Sequence, residues 1–85
     1  MFRARAATGA VSVDAVLAAY HEQRWRDVIS LADGLGDRGK KLRFQAVAYC
    51  GLHDRDAALA VFNALDPEQR PGMQKLCAQE GVTLP

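Results

Sequence analysis

The side chains whose chemistry suits catalysis or metal binding are few in this sequence, and they lie far apart. Cys50 and His53 have the C-x2-H spacing of half a zinc site. A second half would need His21 or Cys77, and neither of these residues has a second ligand beside it. We therefore expect no metal, with Cys50 packed at the end of a helix and His53 exposed in the turn that follows.

Nucleophiles and phosphate-binding loops are equally weak signals. The only serines are Ser12, which precedes an apolar stretch as a helix cap would, and Ser30, which lies in the middle of a predicted helix. The three glycines between residues 34 and 39 follow a helix, whereas a phosphate loop follows a strand. Most acidic residues lie at predicted helix starts, where they cap the helix and complement its dipole. These residues are Asp14, Asp37, Asp54, Asp56, Asp66 and Glu68. We predict no enzyme and no cofactor.

One local cluster of charge stands out in an otherwise balanced chain. Arg38, Lys40, Lys41 and Arg43 place four positive charges within six residues at the start of a predicted helix, where the helix dipole disfavours them. The cluster is either a solvated face or a binding surface. Lys40 and Arg43 are three residues apart on one helical face, a spacing that suits a clamp for a carboxylate. A DNA-recognition helix is disfavoured, because the net charge is only +1 and the same helix must contribute to the core.

Length and composition indicate one small globular domain. The chain has 85 residues, of which 49% are hydrophobic and 25% charged, and no apolar run is long enough to span a membrane. Two cysteines are too few for a disulfide scaffold, so we predict reduced core thiols in a cytoplasmic protein. We expect a flexible segment at residues 1–12 and a single domain at 13–85.

Apolar periodicity, capping residues and prolines predict helices throughout. Each of three glycine-plus-apolar pairs, which begin at Gly34, Gly51 and Gly81, is expected to end a helix, and the last residues are expected to lie back over the core. The helices are predicted at about residues 13–20, 25–33, 38–50, 55–65 and 71–80.

The first four helices form an internal repeat. Tyr20 and Tyr49 are 29 residues apart, while Val28 and Ala58 are 30 apart, as are Ala32 and Phe62. Two similar helical hairpins in tandem explain this spacing. The predicted fold is therefore all-α, with two tandem antiparallel hairpins and a C-terminal capping helix.

The second hairpin resembles the tetratricopeptide repeat. It has a small residue at Ala46, an aromatic residue at Tyr49, then Ala58 and Phe62, and a proline follows at Pro67. The first hairpin matches less well: Val28 stands where alanine is expected, and the turn between its helices is one residue shorter. The resemblance covers about residues 13 to 67.

The resemblance implies a non-catalytic protein-interaction module, an adaptor or scaffold. In that family the first helix of each hairpin lines a shallow groove that takes a partner peptide, here an acidic or C-terminal one. By position, the groove residues are Asp14, Ala18 and His21 in the first hairpin and Lys40, Arg43 and Val47 in the second.

The alternative is a structural domain that mediates oligomerisation or assembly without a peptide groove. It would use exposed apolar side chains such as Leu35, Phe44 or Leu84. A protein partner or a second copy is expected in either case, and neither nucleic acid nor a membrane is.

Overall fold

The computed structural model describes residues 11–85, which form five α-helices and a short 3-10 turn. The predicted all-α class is confirmed. Residues 1–10, most of the segment predicted to be flexible, lie outside the described residues. None of the helices within 11–85 is both long enough and apolar enough to traverse a bilayer. The elements are α1 (Val13–His21), α2 (Trp25–Ala32), α3 (Arg38–Gly51), α4 (Arg55–Ala64) and α5 (Arg70–Gln79), with the 3-10 turn (Pro67–Gln69) before α5.

Three of the helices begin at side-chain caps that the sequence predicts. The side-chain oxygens of Ser12, Asp37 and Asp54 each accept a hydrogen bond from the backbone N–H three residues further on, at 3.0–3.2 Å. Each cap satisfies a backbone donor that has no partner inside the helix. These local signals fix the starts of α1, α3 and α4.

The ends of α1, α3 and α5 share one backbone geometry, with a left-handed residue just beyond the helix. Gln23 (φ 58°), His53 (φ 60°) and Gly81 (φ 85°) hold this position. The N–H of the following residue donates to the carbonyl five residues earlier, at 2.9 Å in each case, as in a Schellman ending. The predicted stop at Gly81 is therefore confirmed. The helices before Gly34 and Gly51 also end within one residue of the predicted position, but neither glycine has the left-handed backbone that was expected there.

These helix ends give the register of the repeat. The left-handed residues Gln23 and His53 are 30 positions apart, and three residues connect the helices in both hairpins. Tyr20 therefore corresponds to Cys50, not to Tyr49. The predicted 29-residue pairing of tyrosines and the shorter first turn are both wrong by one residue.

Gly51 is required for close packing between the hairpins. A Cβ atom there would lie 2.3 Å from Cε2 of Trp25, at the first residue of α2, and 2.6 Å from two further indole atoms. The indole of Trp25 also contacts the ring of Tyr20, with 5.6 Å between centroids. The absent side chain at position 51 makes room for this indole.

Helix α3 lies at the centre of the fold and contacts α2, α4 and α5. It contributes Ala48 to the core on the α1–α2 side and Ala46, Val47 and Cys50 to the core on the α4–α5 side. Gln45 is also buried, and its amide donates to the Ile29 carbonyl at 3.1 Å and to Asp33 at 2.8 Å. Helix α3 thus has buried residues on several faces, because three helices surround it.

The chain end covers the second core, as predicted for the tail. Val82 is 6% exposed and Leu84 is 5% exposed, and both pack in the same cluster as Phe62 and Met73. Leu35 is likewise buried, at 9% exposure. The expectation that Leu35 and Leu84 are exposed was therefore wrong, since each folds back over a helix pair.

Cys50 and Cys77 are both fully buried, as predicted, but they form a disulfide, so the prediction of reduced thiols is wrong. Their Cα atoms lie 5.3 Å apart although 27 positions separate them in the sequence. Helix α5 folds back onto α3, which brings the two residues together. Cysteine number and spacing alone do not reveal such a tertiary contact.

Candidate groove between α1, α3 and α5

A groove of about 510 Å³ runs between α3 and α5 and reaches the end of α1. Its walls are built from the first helix of each hairpin and from the helix that follows the second hairpin. The lining residues are Tyr20 from α1, Arg43, Phe44 and Val47 from α3, Glu68 and Gln69 from the 3-10 turn, and Gly72, Met73 and Leu76 from α5.

The floor of the groove is apolar and rigidly supported. Val47 and Met73 are 4% and 2% exposed, so they belong to the core and expose only their edges. Phe44, Leu76 and Tyr20 are half-buried and form the walls, and the rings of Tyr20 and Phe44 meet edge to face at 6.5 Å. Apolar walls over a fixed floor form a surface that can take an apolar side chain of a partner.

The four positive charges at the start of α3 are not equivalent. A guanidinium N–H of Arg38 donates to the carbonyl of Ala64 at 3.5 Å, and the ammonium of Lys41 lies 3.7 Å from a carboxylate oxygen of Asp33. Lys40 and Arg43 are exposed, and neither forms an ion pair within residues 11–85. They remain one turn apart, with Arg43 on the groove.

The carboxylate of Asp37 is influenced by this basic pair. Its carboxylate accepts the backbone N–H of Lys40, and this hydrogen bond is the main cause that lowers its pKa from the ordinary 3.8. The charges of Lys40 and Arg43 lower the pKa further. Asp37 therefore stays ionised at neutral pH and serves as the N-cap of α3.

The 3-10 turn supplies the polar side of the groove. Glu68 lines it with a negative charge, opposite in sign to Arg43 on α3. The amide of Gln69 lies against Gly39, where an added Cβ would approach its nitrogen to 3.3 Å. The Gln69 side-chain oxygen is buried and accepts no hydrogen bond from any part of the chain that the structure describes.

The site residues predicted on α3 lie on or beside the groove, whereas those predicted on α1 do not line it. Arg43 and Val47 line the groove, whereas Lys40 is exposed on α3 just outside it. Asp14, Ala18 and His21 are exposed on α1 and are not among the lining residues.

The groove reaches α1 only near the end of that helix, at Tyr20. Asp14 and Ala18 lie earlier in α1, so they are too far along the helix to line it. They also precede Arg43 and Val47 by 29 residues, whereas the helix ends correspond at 30. Correcting this offset does not change the outcome, because the residues it selects, Val13 and Leu17, do not line the groove either.

Sequence reasoning missed the contribution of α5 to the groove. Ala46 and Cys50 on α3 are followed 27 residues later by Met73 and Cys77 on α5, and all four are buried. The buried stripe of α5 faces that of α3, and this packing places Met73 and Leu76 on the groove.

The C-x2-H spacing of Cys50 and His53, from which no metal site was expected, does not provide a free thiolate. The Sγ atom of Cys50 is bonded to that of Cys77, so it is not a free thiolate. Within residues 11–85 no three His, Cys, Asp or Glu side chains come together in a way that could hold a metal ion.

No family model, no curated protein and no solved structure matches the chain. The geometry of the groove and the charges around it therefore carry the functional argument.

Proposed function

We propose that this chain is a non-catalytic protein-interaction module of the tetratricopeptide type, and that the groove between α1, α3 and α5 binds a segment of a partner protein. One observation carries the proposal: Arg43 and Val47, chosen as binding residues from the sequence, lie together on an apolar groove. The family resemblance explains why the first helix of each hairpin would supply this surface.

The charges select an acidic partner. Lys40 and Arg43 are exposed, one turn apart, and have no ion-pair partner within the described residues, so a carboxylate of the partner can bridge them. An apolar side chain next to that carboxylate would pack on Phe44 and Leu76, over Val47. Such a segment combines an apolar anchor with an orienting ion pair.

Glu68 gives the groove a direction. A carboxylate of the partner is attracted by Arg43 on α3 and repelled by Glu68 on the 3-10 turn. The bound segment therefore places its acidic residue beside α3, and a neutral or basic residue beside the turn. This polarity separates the proposal from a general affinity for acidic chains.

Assembly without a groove is less well supported. Leu35 and Leu84 are buried, and Phe44 is half-buried inside the groove itself. Of the three apolar residues expected to mediate assembly, only Phe44 is therefore partly exposed, and it lines the groove. The position of α3 also disfavours DNA binding, because three neighbouring helices cover most of its second half and leave mainly its first turns exposed.

The disulfide bears on the compartment. Cytoplasmic placement was inferred from unpaired thiols, and the Cys50–Cys77 bond removes that basis. Disulfides persist in oxidising compartments and are rare in the reducing cytosol. Within the proposed function we therefore favour an oxidising setting for the binding-competent chain.

The experiment is selection from a random peptide display library, followed by measured dissociation constants for the enriched peptides. We expect enrichment of peptides with one apolar residue next to an acidic one. Lys40→Glu/Arg43→Glu should weaken binding about tenfold to a hundredfold, because two attractive contacts become repulsive.

A matched control reverses two charges away from the groove. Arg26→Glu/Lys75→Glu makes the same change in net charge at two exposed positions that do not line the groove. It should leave the dissociation constant within about twofold. No enrichment, or equal loss in both double variants, would refute the groove. A concentration-dependent dimer mass in light scattering, with no peptide bound, would favour assembly instead.

A further inference from the structure

The disulfide lies one helical turn below the groove. Cys50 follows Val47 by three residues on α3, and Cys77 follows Met73 by four on α5, so each cysteine shares a face with a floor residue. The covalent bond therefore ties together the two helices that form the floor. Nothing in the proposed binding function uses this bond.

Helix α5 depends on a single large interface. It packs mainly on α3 and on the 3-10 turn that precedes it. Toward α4 it has contacts at its first residue, where Arg70 donates to the carbonyl of Asn63 at 3.0 Å and lies over the ring of Phe62. Its first turn contains the exposed residues Pro71 and Gly72, and a Cβ at Gly72 would meet no atom within 4 Å. By contrast, α3 is held on three sides. Of the two helices that form the groove floor, α5 is therefore the one that can move away.

We propose that thiol–disulfide exchange at Cys50–Cys77 controls the groove: the oxidised chain holds α5 on α3 and binds, whereas the reduced chain releases α5 and loses the floor. The co-reactant is a dithiol reductant. One of its thiolates attacks a cysteine sulfur, and its second thiol then resolves the mixed disulfide. In total, two electrons and two protons pass to the chain, which gains two thiols while the dithiol becomes a disulfide.

Burial sets the order of events. Both cysteines are fully buried, so a reductant reaches the sulfur atoms only when α5 opens locally on α3 while the disulfide is still intact. Reduction therefore follows opening of α5, and the loss of the cross-link then keeps α5 open more of the time. The binding part of this inference depends on the proposed function, whereas the opening of α5 does not.

The test is amide hydrogen exchange of the full chain with and without dithiothreitol, read separately for each helix. We expect exchange in α5 to rise by about tenfold to a few hundredfold on reduction, the range expected when a 27-residue cross-link is lost, while α1 and α2 change little. Cys50→Ala/Cys77→Ala should match the reduced chain and show no response to dithiothreitol. Reoxidation of the same sample should restore slow exchange.

Peptide binding separates this inference from the proposed function. The enriched peptide should bind the reduced chain at least about tenfold more weakly than the oxidised chain. Equal exchange in α5, a uniform rise in all five helices, or equal peptide affinity in both redox states would overturn the proposed control. If α5 opens on reduction but the oxidised chain binds no peptide, the proposed peptide-binding function is refuted, whereas the redox sensitivity of α5 is supported.

Discussion

The same substitution, glycine to alanine, should have opposite effects at two helical positions of this chain. Gly51 is the last residue of α3, and Gly72 lies in the first turn of α5. Neither has a positive φ, so alanine fits the backbone at both. In a helix, alanine is more stable than glycine by about 0.5–1 kcal/mol. Propensity alone therefore predicts that both substitutions stabilise the fold.

Packing reverses the sign at Gly51. The new Cβ would lie 2.3 Å from Cε2 of Trp25, whereas carbon atoms in contact prefer about 3.5–4.0 Å, so the indole must retreat by more than about 1 Å. That retreat disturbs the contact of Trp25 with Tyr20. Overpacking of this kind costs about 1–3 kcal/mol, which exceeds the propensity gain. We expect Gly51→Ala to destabilise the fold by about 1–2 kcal/mol and Gly72→Ala to stabilise it by about 0.5–1 kcal/mol.

Urea unfolding followed by tryptophan fluorescence measures both effects. Trp25 is the only tryptophan, so its emission also reports the displacement of the indole directly. In a Trp25→Leu background, which has no tryptophan and is followed by far-UV circular dichroism instead, Gly51→Ala should become neutral or stabilising, because the clash is gone. If Gly51→Ala stabilises the native background as much as Gly72→Ala does, the packing argument is refuted.

Two further predictions concern α3. Gln45→Leu keeps most of the side-chain volume but leaves the carbonyl of Ile29 without its amide donor. The free energy of unfolding should therefore fall by about 1–3 kcal/mol in urea titrations. An unchanged urea midpoint would show that this hydrogen bond is dispensable. Asp37→Asn keeps an N-cap but removes the charge. Because the pKa of Asp37 is lowered in the folded state, its contribution is present above the ordinary value of 3.8 and is lost as the pH falls through the folded value. The native chain should therefore be more stable than Asp37→Asn at neutral pH, and the two urea midpoints should converge as the pH falls below the ordinary value of 3.8. Parallel curves throughout the acidic range would contradict the assignment.

Local signals made much of the fold predictable. The caps at Ser12, Asp37 and Asp54 are side-chain to backbone contacts three residues apart, so they depend on little beyond their own segment. The buried face of α4 was also predictable, because Ala58 and Phe62 follow the helical period and face the core from one side.

Features that depend on tertiary contacts were missed. Helix α3 has buried residues on several faces, which hides its periodicity, and the polar Gln45 is buried because Ile29 and Asp33 accept its hydrogen bonds. The left-handed positions at Gln23 and His53 are not glycines, whereas Gly51 serves packing instead of a turn. From residue type alone, the left-handed position that ends α3 was assigned to Gly51, whereas His53 holds it.

The groove was predicted only in part, because residues outside the second hairpin also line it. Arg43 and Val47 follow from the second hairpin, where the repeat pattern is strongest. The contribution of α1 is limited to Tyr20 near its end, which the repeat pattern does not single out. The contribution of α5 depends on the packing of α5 against α3, a tertiary contact that no local pattern indicates.

The central position of α3 has a consequence for the kinetics of folding. Each large helix–helix interface joins elements that are close in sequence, and every interface except that of α1 with α2 includes α3. Short loops therefore close first, and the chain should fold quickly from α3 outward, as in proteins of low contact order. Substitutions in the core of α3 should slow folding, whereas those in α1 should mainly speed unfolding. The molecule is elongated, at 46 Å long and 18 Å across its thinnest direction. Its helices therefore pack around the central helix α3, and no single core contacts all of them.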